Sequence, residues 1–188
     1  MAREERPAND QYYETRLPLL SQGDIFRDVP LAYPIPADRV VEDEASGDRL
    51  FLAGPFEIGL AMLTTPTCSM RAQGADAQDY AHPVRTLVPI VPLTQGLMAS
   101  LKIDPGKLGM LRKYDSLINY MYVPPNDDLG LEESLAFLYM PVTLHHGFID
   151  GQRVTQLAKE GAKQLHKKLT WFSTGWLESR ELFDPPMD

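Results

Sequence analysis

The stretch "GLAMLTTPTCSM", residues 59–70, gathers Thr64, Thr65, Thr67, Cys68 and Ser69 at the end of an apolar run, and Cys68 is the chain's only cysteine. As a nucleophile, Cys68 would need a base such as His82, His145 or His146, and a cation or helix N-terminus to populate its thiolate. The competing reading is a small, buried, apolar residue at a strand end. Hydroxyls of the Thr64–Ser69 group could hold a phosphate together with backbone N–H groups. They equally suit a turn about Pro66, in which they cap local backbone groups. Cys68, His82, His145 and His146 have metal-ligand types. However, adjacent histidines on a strand point to opposite faces, and no Cys-x-x-Cys or His-x-x-x-His spacing accompanies them. No metal or cofactor is therefore expected. Asp24 and Asp28 could join a polar site, or serve as turn residues. The candidate catalytic set is Thr64, Thr65 and Cys68.

A second group is basic. Lys159, Lys163 and Lys167 recur every four residues, and Trp171, Phe172 and Trp176 follow. Lysines leading into aromatics suit nucleic acid, with phosphates on the cations and bases on the rings. They also describe the solvated side of an amphipathic helix, the reading that an acidic chain favours. The candidate binding set is Lys159, Lys163, Lys167 and Trp171.

Composition sets the frame for these residues. The chain has 188 residues, 44% of them hydrophobic, and a net charge of −8. That is enough to bury a core without staples. One cysteine excludes an internal disulfide framework and a multi-cysteine zinc site. No apolar run is long enough to span a bilayer, and "MAREERPANDQYYETR" is too charged for a secretory signal. The expectation is a cytoplasmic protein with no membrane role. Residues 1–50 hold 6 Lys/Arg against 11 Asp/Glu, whereas residues 151–188 hold 6 against 5. The acidic half could serve solubility or face a basic partner.

The elements that would position these groups read as follows. Residues 1–20 are polar and form an arm. "SQGDIFRDVPLAYPIP" opens a strand over Ile25–Val29 after a Gly23-Asp24 turn. "LFLAGPFEIGLAMLTT" gives two strands, Leu50–Ala53 and Phe56–Thr64, split by Gly54-Pro55. "RAQGADAQDYAHP" is a surface loop. "VRTLVPIVPL" is a buried strand whose Pro89 and Pro92 suggest an edge or a bulge. "GLMASLKID" supplies a turn of helix, and "LGMLRKYDSLINYMYVPP" ends extended. "ESLAFLYMPVTLHHGFI" is read as a strand from Leu135, Phe137, Tyr139 and Val142. The last segment, from Asp150 or Gly151 to Gly175, places Val154, Leu157, Ala158, Ala162, Leu165, Leu169 and Phe172 on one helical face. The domain reading is an arm at 1–20, a barrel at 21–150, a helix packed on it at 151–176 and a tail at 177–188.

"QGDIFRDVP", "GLAMLTTPTCSM" and "VRTLVPIVPL", in that order, resemble the PemK/MazF-type toxin barrel over about residues 21–93. They also resemble a looser set of uncharacterised bacterial and phage proteins with a Thr-x-x-Cys-Asp-like strand ending; here that ending is Cys68-Ser69. The resemblance implies a β-rich α+β fold, a small SH3-like barrel with a long C-terminal helix. It also implies metal-independent RNA cleavage, in which an Arg before the second core strand and a Ser/Thr after it assist. By position, the Thr is Thr64 or Thr65. The Arg slot falls near Phe56-Glu57, where no cation stands, leaving Arg49, Arg71 or Arg85 to supply one. A phosphate without a cation loses a large stabilising contribution.

These readings lead to a degenerate, non-catalytic barrel that binds a protein partner or RNA, in a toxin–antitoxin, defence or phage-related setting, with a homodimer as one form. The alternatives are a metal-independent endoribonuclease and a structural component of a larger assembly.

Overall fold

A computed structural model of the chain describes residues 12–14, 19–32, 40–42, 50–52, 56–70, 83–114, 117–149 and 151–174. The architecture is mixed: a curled antiparallel sheet forming a half-barrel, with a C-terminal helix against it. Its strands are β1 (Ile25–Ala32), β4 (Phe56–Leu63), β5 (Val84–Pro92), β6 (Tyr120–Val123), β7 (Ser134–Phe137), β8 (Val142–His145) and β9 (Arg153–Thr155). They run in the order β6-β7-β5-β4-β1-β9, and β8 also pairs with β5. A separate two-stranded sheet joins β2 (Val40–Glu42) to β3 (Leu50–Leu52). The helices are α1 (Gln95–Ser100), α2 (Pro105–Tyr114) and α3 (Lys159–Thr174).

Alternation along β4 and β5 divides the core. Met62, Val88 and Ile90 join Ile25, Met121, Val123, Ala136 and Leu165 of α3 in one cluster. Their neighbours Ala61, Leu63 and Leu87 join Phe26, Val29, Leu31 and Met70 in a second. Successive strand residues point to opposite faces, so the two clusters lie on opposite sides of the sheet. A third cluster, around Leu111, Tyr122 and Leu135, sits under α1 and α2.

β1 keeps Phe26 and Val29 in the same cluster although three positions separate them, because it is bulged. Between Phe26↔Ala61 and Val29↔Gly59, β1 advances three residues while β4 runs back two. The extra residue falls by Asp28, exposed at φ 55, a left-handed conformation that a short polar side chain tolerates.

Of the edge or bulge expected from the prolines of β5, the edge is corrected. β5 is central, with β4 on one side and both β7 and β8 on the other. Thr86 turns its carbonyl to Thr64 on the β4 side, while Pro83 O and Leu93 N turn to β8 and to Glu133. By alternation, the missing N–H of Pro89 faces the β7/β8 side. There, between Leu87↔Val142 and Ile90↔Ala136, β5 advances three residues while its partner runs back six. The proline thus occupies a gap in the ladder where a donor has no strand to meet. The same gap corrects the single strand read within residues 133–149: it is β7 and β8, lying along one edge of β5 and broken at residues 138–141.

Two further boundaries differ from the sequence reading. Residues 153–155 form β9, paired to Ile25 and Phe26, and α3 begins only at Lys159. Part of the segment read as an arm is docked: Tyr12 is 3% exposed in the first cluster, and Glu14 bridges Gln156. The loop read over residues 71–82 and the tail at 177–188 lie outside the described residues.

Candidate functional site

At the end of β4 the chain turns at Pro66 into a short 3-10 helix, Thr67–Met70, which buries Met70 in the second cluster. The hydroxyls here bond to backbone. Thr64 Oγ1 donates to Thr86 O at 3.1 Å, and Thr65 Oγ1 accepts from Thr86 N at 2.7 Å. Thr67 Oγ1 accepts from Gln22 N at 3.0 Å, and Gln22 Nε2 donates to Thr64 O at 2.7 Å. The cluster therefore stitches the Gln22–Asp24 turn and β5 to the end of β4, the capping role expected of a turn. Cys68 is exposed, which corrects its reading as a buried residue at a strand end: the strand stops at Leu63 and the thiol lies on the turn beyond.

These placements separate Thr65 from Cys68 by stability. Thr65→Val removes the acceptor of Thr86 N and should cost about 1–3 kcal/mol. Cys68→Ser exchanges one exposed small group for another and should stay within about 0.5 kcal/mol. Urea unfolding of the two variants checks this; a larger loss for Cys68→Ser than for Thr65→Val would reverse the assignment.

Beside the turn lies a buried ion pair. Asp24 is 0% exposed, and its Oδ2 accepts from Arg153 Nη1 at 2.9 Å and from Ser21 N at 3.0 Å. Arg153 Nη1 also donates to Leu19 O at 2.9 Å. Asp24 Oδ1 has no hydrogen-bond partner among the described residues. Burial pushes the Asp24 carboxyl above its ordinary value, against the pull of Arg153 and Ser21. Gly23 supports this corner at φ 95, and a Cβ there would stand 2.7 Å from Leu157 Cδ1. The sequence flagged Asp24; its partner is 129 residues away and had no local signal.

Arg85 is fully buried, and its Nη1 donates to Val84 O at 2.8 Å. Arg49 and Arg71 lie outside the described residues. The histidines do not diverge as strand neighbours would. β8 ends at His145, the chain turns into a short 3-10 helix, and the rings of His145 and His146 stack with centroids 4.5 Å apart. His145 Nδ1 accepts from Gly147 N at 3.2 Å, which puts the proton of the neutral ring on Nε2. His82 lies outside the described residues. Among the described residues, no three His, Cys, Asp or Glu side chains gather as a metal cluster.

The basic candidates stand elsewhere, on α3. Its Leu165 is fully buried, with Ala162 and Leu169 packed beside it. Lys159, Lys163 and Lys167 are exposed on the other side. Lys163 Nζ is 2.7 Å from Glu160 Oε1. The hydrogen bond from Lys163, with the charges of Lys159 and Lys167 adding to it, holds the Glu160 carboxyl below its ordinary value. Lys168 departs from the solvated set: its Nζ donates to Tyr120 O at 2.6 Å and also to Leu117 O. This pins the C-terminal half of α3 to the entry of β6. One turn on, Trp171 and Phe172 meet edge to face at 5.2 Å, with Phe172 37% exposed.

Two networks went unseen in the sequence. Glu133 accepts from Arg112 Nε and Nη2 at 2.6 and 2.7 Å and from Tyr122 Oη at 2.7 Å, tying α2 to β6 and β7. The Arg112 hydrogen bonds hold Glu133 below the usual carboxylate range, and burial raises Tyr122. Tyr120 packs edge to face against Phe137 and Tyr139, and burial pushes its hydroxyl up to about 12.

The fold thus brings Thr64, Thr65, Thr67 and Gln22 together and leaves Cys68 at their rim. The lysines are on a helix packed against the opposite face of the sheet. Among the described residues, no helix is long and apolar enough to cross a membrane. No protein-family model matches the chain, and no curated protein matches it either.

Proposed function

We propose that the curled sheet is a degenerate SH3-like barrel of the PemK/MazF type, and that the protein works by binding a protein or nucleic-acid partner rather than by cleaving RNA. The observation that carries this reading is the engagement of the β4-end hydroxyls. Thr65 Oγ1 is the acceptor of Thr86 N, and Thr64 Oγ1 donates to Thr86 O. A hydroxyl needed for proton transfer must be free to change partners during the reaction; these two hold a strand end in place. Near Phe56-Glu57, where the resemblance calls for an arginine, no cation stands, and the charge of Glu57 opposes a phosphate. The competing endoribonuclease would need a cation from Arg49, Arg71 or Arg85, and Arg85 is buried.

The test is incubation of the purified protein with a long RNA in EDTA. The expected result is intact RNA. Defined fragments, lost on changing Thr64 or Thr65 to Val in a variant that remains folded, would establish the nuclease instead.

A further inference from the structure

We infer that the outer face of α3 is a docking surface for single-stranded nucleic acid, with phosphates along Lys159, Lys163 and Lys167 and a base against Trp171 and Phe172. The inference rests on the binding-module reading and names its partner.

Residues four apart on a helix rise about 6 Å and drift about 40° around the axis. The line Lys159–Lys163–Lys167 therefore winds along the helix, and its next step is Trp171. The aromatic end sits at a fixed place in the fold, because Lys168 holds this part of α3 to Leu117 and Tyr120. Ile118, 46% exposed, stands in sequence between those two anchor points.

Charge complementarity favours a polyanion: the outer face of α3 carries three exposed lysines and a single carboxylate, Glu160. The half-buried Trp171 and the exposed Phe172 at the end of the cationic line favour nucleic acid over an acidic peptide. Every base offers a π-face to stack on an aromatic side chain, whereas a run of carboxylates gains nothing from one.

The experiment is fluorescence anisotropy of the full-length protein with a labelled oligouridine at two salt concentrations, with polyglutamate as a base-free competitor. Oligouridine should bind. The combined change of Lys159, Lys163 and Lys167 to Gln should weaken it about tenfold or more and flatten the slope of log affinity against log salt by about two. Trp171→Ala should weaken binding about five- to a hundredfold and leave the slope unchanged, while Trp171→Phe retains most of the affinity. Thermal melts confirm that each variant is folded. Absence of oligouridine binding, or binding indifferent to the lysine changes, overturns the inference. So does polyglutamate competing as well as oligouridine itself, since that marks a surface for acidic chains. RNA fragments in EDTA would sink the non-catalytic reading and leave this surface standing. Failure of oligouridine to bind sinks the surface and leaves a non-catalytic module with a protein partner.

Discussion

Leu165→Ala is expected to destabilise the protein by about 2–5 kcal/mol. Leu165 is fully buried and belongs to the cluster that joins α3 to Ile25, Met62, Val88, Met121 and Val123. The cluster it belongs to draws on four strands, β1, β4, β5 and β6, among others. Truncating it loses the transfer free energy of the removed carbons and leaves a cavity in a wall that strand pairing keeps from collapsing. Phe172→Ala, further along the helix and 37% exposed, should cost far less. Urea unfolding of both variants checks the difference. Equal midpoints for Leu165→Ala and the wild type would mean that α3 is not docked in solution, and the placement of its lysines would fall with it.

The legible parts of this fold are those where a short window determines the outcome. The strands Ile25–Val29 and Phe56–Thr64 read correctly to within three residues because their apolar runs end in Gly, Pro or Thr clusters. The buried face of α3 is legible at Leu165, with Ala162 and Leu169 packed beside it, because their spacing is helical. The failures occur where long-range pairing overrides local pattern. Val154 and Leu157 fit a helical stripe, yet residues 153–155 are drawn into β9 by Ile25 and Phe26, more than a hundred positions away. Gly151, at φ 79, is the local mark of that break. Pro89 suggested an edge, since nothing nearby reveals that a central strand can meet a gap between two partners.

The candidate site divides in the same way. The hydroxyl group at the β4 end was visible from composition, and its capping role followed from the chemistry of Ser and Thr near a proline. Its anchors, Gln22 and the backbone of Thr86, arrive from other strands and had no local signal. The His145–His146 pair departs from strand alternation because the strand stops between the two residues.

Arg153→Met is expected to cost about 3–5 kcal/mol near neutral pH, because it strands a buried carboxylate. Asp24 is 0% exposed, and the Arg153 side chain is itself only 14% exposed. Without the guanidinium, Asp24 Oδ2 keeps the N–H of Ser21, too little to offset burial of a full charge. The pH dependence identifies the cause. In the wild type, burial already raises the Asp24 carboxyl above its ordinary value of 3.8, so the native state binds this proton more tightly than the unfolded chain does. Its contribution to stability is then fully present below 3.8 and is lost as pH rises through the folded value. Removing Arg153 removes the strongest pull in the other direction and widens that window. The deficit of Arg153→Met against wild type should therefore shrink as pH falls toward about 4, where the carboxyl can be neutral. Asp24→Asn keeps an oxygen to accept from Arg153 and Ser21 but cannot ionise, so this part of the pH profile should go flat. Melting temperatures of the three proteins across acid to neutral pH decide the matter. A deficit that stays constant over that range would mean that Arg153 contributes packing alone and that the charge of Asp24 is not what it holds in place.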